Sequence, residues 1–319
     1  MSSPPILLLD LLADAKFHSG EEVAKVLGIT RAGVWKQLQK LESFGLEYES
    51  KKGKGYRLLQ TLNMLNRSTI MDRLEHPSTF EELEILFSTA STNTAIQTKL
   101  IHTKSPIVII AEHQSAGRGR RGKTWLSPFG KNIYLSMSWR FNEGMSRLDG
   151  LSLVVGLAVI KMLEFAQIEG VKLKWPNDLM LNNKKIGGIL LEVSGDPLAE
   201  CSVIIGIGLN VNVSPSRLAI DQPWSSLKIE EGKEFDRNLL VSVLLNSLAK
   251  MLTIFAKQGF EYFYPLWNKV DWLQNREVCI YQGDNVDFGK VVGVSPSGAL
   301  MLDSGQVYKA GEVSVRRSN

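Results

Sequence analysis

Gly117-Arg118-Gly119-Arg120-Arg121-Gly122-Lys123-Thr124-Trp125 places four cations among three glycines. Ahead of it, Ile107-Val108-Ile109-Ile110-Ala111 is a short β-branched run that reads as a buried strand. Behind it, Asn132 to Trp139 alternates like a second strand. Glycine lets backbone N–H groups approach an anion closely, and Arg matches phosphate oxygens with parallel hydrogen bonds. Between two core strands the loop therefore reads as a polyphosphate clamp. The blander alternatives are a solvated basic turn or a fragment of an RGG-type tail, and the flanking strands speak against the tail. Gly117 through Thr124 also fits G-x-x-x-x-G-K-[ST], the phosphate loop of P-loop NTPases. That motif needs a helix immediately behind it. Pro128 and Gly130 oppose one here, so the match is accidental.

The chain has 319 residues, enough for two or three domains, and 44% hydrophobic with 22% charged residues is ordinary globular composition. Its net charge of +4 is unevenly spread. Residues 31–57 carry seven Lys/Arg (31, 36, 40, 51, 52, 54, 57) against Glu42, Glu47 and Glu49, a balance equal to that of the whole chain. Cys201 and Cys279 fall in strand-like runs, and Ile6 to Leu9 is too short for a signal or membrane segment. The expectation is a soluble, cytoplasmic protein with reduced thiols and no membrane contact.

Residues 6–16 read as a first helix. Ser19-Gly20-Glu21-Glu22 is a capping box for a second, and Gly28-Ile29-Thr30 is a turn whose Thr30 caps a third over about 31–43. That third helix buries Val34, Leu38 and Leu41 and shows Arg31, Lys36, Gln37 and Lys40. A basic Gly-turned hairpin with Lys51, Lys52 and Lys54 follows, as a wing would. Together these are a winged helix-turn-helix. Thr30, Arg31, Lys36, Gln37, Lys40, Lys51, Lys52 and Lys54 are its candidate DNA contacts. A small helical domain with a solvated charged face is the alternative. Residues 60–66 read as a linker.

Leu83, Ile85 and Phe87 alternate as a strand leading into the polar turn Ser88 to Thr94, which by itself reads as helix capping. Residues 151–167 form an apolar helix. Val171 to Asp178 is a strand ending in a Pro-Asn-Asp turn, and 179–191 is a hairpin with Lys185 at its mouth, where a solvated turn lysine is the ordinary outcome. Cys201 to Leu209 is a strand and 236–258 a long helix, and from 277 short strands alternate with Gly turns as in a small β-barrel. His18, His76, His102 and His113 are isolated and no G-x-S-x-G elbow occurs, so neither a metal centre nor covalent attack is indicated.

Five stretches in this order resemble the motif set of the biotin–protein ligases. They are Ser91-Thr92-Asn93, Gln114 to Gly122, Lys174-Trp175-Pro176-Asn177-Asp178, Lys185 to Leu190 and Gly206-Ile207-Gly208-Leu209-Asn210. With a winged helix-turn-helix ahead and a barrel behind, the whole chain resembles the bifunctional biotin ligase/biotin-operon repressors of bacteria. The resemblance implies an α+β protein with three domains. Residues 1–62 would bind DNA. Residues 63–272 would form a class II synthetase-like mixed sheet that binds biotin and ATP, and 273–319 an SH3-like barrel.

The implied chemistry is attack of biotin's carboxylate on the α-phosphorus of ATP, with Mg²⁺ assisting, then transfer from biotinoyl-AMP to a lysine of a biotin carboxyl carrier domain. By resemblance, Ser91, Thr92, Asn93, Gln114, Gly119 and Gly188 surround biotin. Arg118, Arg120 and Arg121 close on the linkage, and Lys185 reaches the carboxylate/phosphate junction. Trp125, Asn177 and Asn210 serve the adenylate, and Asp178 aids positioning. Two anions would thus meet under a cluster of cations. A ligand-sensing regulator without catalysis, or a P-loop phosphotransferase, would be the rivals. One winged helix reads one half-site, so a homodimer is expected on operator DNA once the adenylate orders the 117–122 loop and the 212–226 stretch around Trp224.

Overall fold

The computed structural model describes residues 4–100, 106–142, 144–195, 200–214, 222–311 and 313–317. Its first unit is α1 (Pro4–Leu12), α2 (Gly20–Leu27), α3 (Arg31–Ser43), β1 (Tyr48–Lys51) and β2 (Gly55–Leu58). The caps are those the sequence encodes. Ser19 Oγ accepts from Glu22 N and Thr30 Oγ1 from Gly33 N, each satisfying a donor that the helix cannot. The hairpin is pinned to the helices by paired backbone bonds between His18 and Tyr56, both at 2.9 Å. Gly55 makes this approach possible: a Cβ there would lie 1.8 Å from the His18 carbonyl oxygen.

The second unit is built on a seven-stranded mixed sheet. Its elements are α4 (Arg67–Met71), β3 (Glu82–Leu86), α5 (Thr92–Lys99), β4 (Ile107–Ala111), β5 (Ile133–Phe141), α6 (Leu151–Phe165), β6 (Lys172–Lys174), β7 (Asp178–Leu181), β8 (Lys184–Gly195), β9 (Cys201–Leu209), α7 (Leu227–Glu231), α8 (Arg237–Gln258) and α9 (Tyr264–Asn268). The strand order is β3-β4-β5-β9-β8-β7-β6, with only β3 and β4 parallel. β4 is buried along its whole length because both faces are covered. Val108 and Ile110 join the main core with α6 and α8, while Ile107 and Ile109 pack with Ile96 of α5. β7 and β8 turn at Asn182 and Asn183, both at positive φ as a tight hairpin turn of this hand requires. α8 is long and apolar enough to cross a membrane, yet it is a core helix with Leu240, Leu244, Leu248 and Leu252 buried.

The last unit is β10 (Glu277–Gln282), β11 (Asn285–Val294), β12 (Leu300–Leu302), β13 (Val307–Tyr308) and β14 (Ser314–Arg317). The antiparallel strands expected here are present, and no closed barrel is found among the described residues. Among the described residues the strands form an open antiparallel sheet, order β13-β12-β11-β10-β14, whose edge strands do not pair. β11 pairs with β10 over Asn285–Lys290 and with β12 over Val291–Val294, and a register shift between Val291 and Gly293 in the second pairing bends the strand.

The three units share interfaces. Phe44 of the first unit sits 5.1 Å from Phe87 and 5.7 Å from Phe129, with His113 at 5.2 Å. The connection at 60–66 is extended but firmly held. Leu65 N donates to Glu112 (2.6 Å), Glu112 pairs with Arg237 (2.7 Å), and Arg237 also donates to the Asn63 and Asn132 carbonyls. Both charged partners are essentially inaccessible, at 0% and 2% exposure; the two terminal nitrogens of Arg237 are hydrogen-bonded while its buried Nε has no partner.

Candidate functional site

Residues of β6, β7, β8 and β9, the 118–125 loop and the edge strand β14 enclose a cavity of about 540 Å³. Arg118, Arg120, Arg121, Lys123, Lys174, Lys185 and Arg316 line it, and Asp178 is the one carboxylate among the lining residues. The 117–125 loop folds over it through backbone bonds Gly119 N to Lys123 O (2.7 Å) and Trp125 N to Gly117 O (2.9 Å). Arg121 takes φ 55° to complete the short 3₁₀ turn.

The basic residues are held in different ways. Arg120 is half-buried and donates to Asn177 Oδ1 (3.2 Å) and to the Ala310 carbonyl in the last unit. Burial, then the neighbouring Arg121, pulls its guanidinium pKa down, with Asp178 opposing. Lys174 is also lowered, chiefly by burial, with Asp178 opposing and Lys185 adding repulsion. Lys185 Nζ lies 2.7 Å from Asp178 Oδ1 and 5.7 Å from the Trp125 ring centre. Its backbone is fixed between Pro223 O and Ser225 N, both at 3.0 Å, in a parallel bridge to Trp224. Of the 212–226 stretch, 215–221 lie outside the described residues, as does His102.

Trp125 lies against the sheet over Gly208, where a Cβ would come within 2.6 Å of the indole. Its indole N–H is buried without a partner. A flat aromatic wall beside clustered cations suits a planar ring carried on phosphate.

At the other end, Thr92 and Gln114 line the cavity and meet through Thr92 N to Gln114 Oε1 (2.9 Å). The capping role expected of this turn is not what Ser91 does, since its side chain makes no cap bond. Ser91 and Asn93 are buried behind the wall and do not line the cavity. Asn93 donates to Glu192 (2.6 Å) and accepts from Ser136 (2.5 Å). Arg118 pairs with Glu192 at 3.0 Å.

Asn210 stands apart from the other expected site residues. Its amide is buried and engaged by Asn132 Nδ2 (3.1 Å) and the Ser225 carbonyl (3.0 Å), so it braces β9 and the 222–226 segment and is not among the lining residues. Gly119, Gly188 and Asn177 do line it. Sequence reasoning missed Lys174 as a cavity cation although it stands in a quoted motif. It also missed Tyr134, Gln222 and the Val313–Arg316 edge, for which no local signal exists.

In the first unit Arg31, Lys36, Lys40, Lys51, Lys52 and Lys54 are exposed on α3 and the hairpin, and Arg31 pairs with Glu21. Thr30 is committed to the cap and Gln37 is half-buried. Trp35, 53% exposed on the same helix, was not anticipated.

Residues 86–210 match the biotin/lipoate A/B protein ligase family, and residues 6–57 match an HTH domain. The bifunctional ligase/repressor BirA of Escherichia coli (strain K12) is 37% identical over 98% of this chain and 97% of its own. The chain belongs to this ligase/repressor family. The Bacillus subtilis (strain 168) member is 29% identical over 95% of this chain and 94% of its own. Biotin protein ligase from Aquifex aeolicus, solved in complex with biotin and ATP, superposes with a TM-score of 0.64 at 30% identity, covering 75% of this chain and 100% of that one. The family's two halves correspond to the two surfaces described here: a cationic cavity and an exposed basic helix with its wing.

Proposed function

We infer that the chain activates biotin with ATP to biotinoyl-AMP, transfers it to a lysine of a biotin carboxyl carrier domain, and represses transcription through its winged helix-turn-helix. The observation that carries this reading is the cavity itself, where seven cations and an aromatic wall adjoin a neutral end built from Thr92 and Gln114. Such a site takes a ligand with an uncharged polar ring at one end and phosphate at the other.

In this reading Thr92 and Gln114 hold the biotin ring, with Ser91 and Asn93 supporting them from behind. Arg118 and Gly119 flank the valeryl chain near Gly188. Lys185, Arg120 and Arg121 gather the biotin carboxylate and the α-phosphate, whose mutual repulsion is severe at low dielectric. Trp125 stacks with the adenine, and Asn177 steadies Arg120. Positioning supplies much of the remaining acceleration, and the folded loop excludes water that would hydrolyse the anhydride.

The cavity offers a magnesium ion one carboxylate, Asp178, and no cluster of three acidic, His or Cys ligands exists among the described residues. That fits an ion arriving with the phosphates, since Mg²⁺ commonly uses one or two carboxylates plus substrate oxygens. Such an ion would neutralise charge on the departing pyrophosphate.

Residues 1–62 would form the DNA-binding domain, 63–272 the ligase domain and 273–319 the third, in a cytoplasmic protein. Lys36, Lys40, Lys51, Lys52 and Lys54 would meet phosphates, while Arg31 and Gln37 would lie nearer the bases. A palindromic operator then requires two copies, and the adenylate would promote the homodimer. Incubation with labelled biotin, ATP and an acceptor domain tests the ligase reading. Labelled acceptor with AMP and pyrophosphate is expected. ADP, or no nucleotide product, would overturn it.

A further inference from the structure

Behind the neutral end of the cavity runs an unbroken polar chain. Glu192 takes Arg118 through both oxygens, Nη1 to Oε1 at 3.0 Å and Nη2 to Oε2 at 3.1 Å, and accepts from Asn93 Nδ2 at 2.6 Å. Asn93 Oδ1 lies 2.5 Å from Ser136 Oγ, and Ser136 Oγ lies 2.7 Å from Thr92 Oγ1. The chain is closely built: Asn93 lies so near the sheet that a Cβ on Gly206 would be 2.3 Å from its Oδ1. Ser136 is fully buried, and neither it nor Glu192 lines the cavity.

Counting protons along this chain gives it a direction. A carboxylate only accepts, so Asn93 must turn its NH₂ toward Glu192 and its oxygen toward Ser136. An amide oxygen also only accepts, so the single Ser136 proton goes to Asn93. The 2.7 Å contact between Ser136 and Thr92 then needs the Thr92 proton. Thr92 is left with a lone pair at the cavity wall. A backbone N–H can only donate, so Thr92 N fixes Gln114 Oε1 (2.9 Å) and turns Nε2 toward Ser127 Oγ (3.0 Å) with one N–H to spare. Gln114 Oε1 also lies 3.2 Å from Thr92 Oγ1 and competes for the same proton, but the Ser136 contact, at 2.7 Å, is the shorter one. The wall thus offers one acceptor beside one donor.

We propose that Glu192 is a positioning residue which sets the donor–acceptor polarity of this end of the cavity, making the Thr92 hydroxyl an acceptor that selects a ring N–H beside a carbonyl. The proposal deepens the ligase reading and rests on it, since a cyclic urea presents that pair of groups. A ligand with a ring oxygen in place of the N–H would set two lone pairs against each other, and sites built this way discriminate strongly.

The test is biotin-dependent pyrophosphate exchange with biotin and with its cyclic carbamate analogue, in which one ring N–H is replaced by oxygen. Glu192→Gln keeps size but replaces one acceptor oxygen by a donor NH₂, which breaks the two-oxygen grip on Arg118 and lets the amide at position 192 face either way, so the polarity is no longer imposed. The ratio of kcat/KM for biotin over the analogue should fall by about tenfold or more, one hydrogen bond's worth, mainly through a higher biotin KM. Ser136→Ala cuts the relay without touching Arg118 and should lower the ratio similarly, which also covers the case of a poorly folded Glu192 variant. An unchanged ratio in Ser136→Ala, whatever Glu192→Gln does, overturns the proposal by assigning any effect to Arg118. If the wild-type protein makes no adenylate from biotin, the ligase reading falls and this proposal with it.

Discussion

Replacing Lys185 with Ala tests the charge argument at its centre. The lysine is about four-fifths shielded, with its side chain 18% exposed, and its Nζ stands 2.7 Å from Asp178. At about 4 Å from an anion and an effective dielectric near 20, a lone ammonium contributes roughly 4 kcal/mol. Asp178 claims part of that charge, so a loss on the order of 10²–10³ in adenylate formation is expected. The fold should survive, because the backbone bonds to Pro223 and Ser225 do not involve the side chain. The variant also leaves Asp178 facing the incoming anions. Adding Asp178→Asn should then restore part of the rate if repulsion dominates. Pyrophosphate exchange, with a thermal melt as control, reads both. Exchange within tenfold of wild type in Lys185→Ala would refute the reasoning.

Arg120→Gly removes the bridge from the loop to Asn177 and Ala310, so biotinoyl-AMP should escape and label exposed lysines of bystander proteins. Equal labelling by mutant and wild type, with adenylate formation intact in both, would reject retention. Arg237→Met strands the buried Glu112 carboxylate and should cost about 3–5 kcal/mol in urea unfolding. A loss under about 1 kcal/mol would show that Glu112 finds another partner or a proton.

Burial pushes the Asp271 carboxyl up to about 6, opposed by the hydrogen bond from Leu273 N. The folded protein therefore binds more protons than the unfolded chain between pH 3.8 and about 6, so stability falls as pH rises through that window. Asp271→Asn should flatten this slope and gain up to about 3 kcal/mol at neutral pH, read by denaturation at several pH values. An unchanged slope would exclude Asp271 as its source. Biotinoyl-AMP should strengthen self-association, and linkage requires dimerisation to tighten the adenylate by the same factor. Sedimentation with and without it decides, and an unchanged dimer constant refutes the coupling.

What the sequence determined is what short-range chemistry can encode. The caps at Ser19 and Thr30 close within three residues, so the helix-turn-helix could be read residue by residue. The unbroken Ile107–Ala111 run announced a buried strand, and the cations set among glycines announced an anion-binding loop. Tertiary structure decided the partners. Asn210 and Asn93 are alike as polar residues in motifs, yet one braces a strand and the other relays polarity from Glu192, ninety-nine positions away. The Val313–Arg316 edge joins the cavity and Ala310 receives Arg120 only because the last sheet packs against the motif strands. Whether such a sheet closes is likewise beyond local pattern, since Gly turns and alternation are common to barrels and open sheets. Strand alternation and caps are fixed by neighbours a few bonds away. Which two side chains share a proton is fixed by how separate elements stack, and one sequence read alone does not carry that distance.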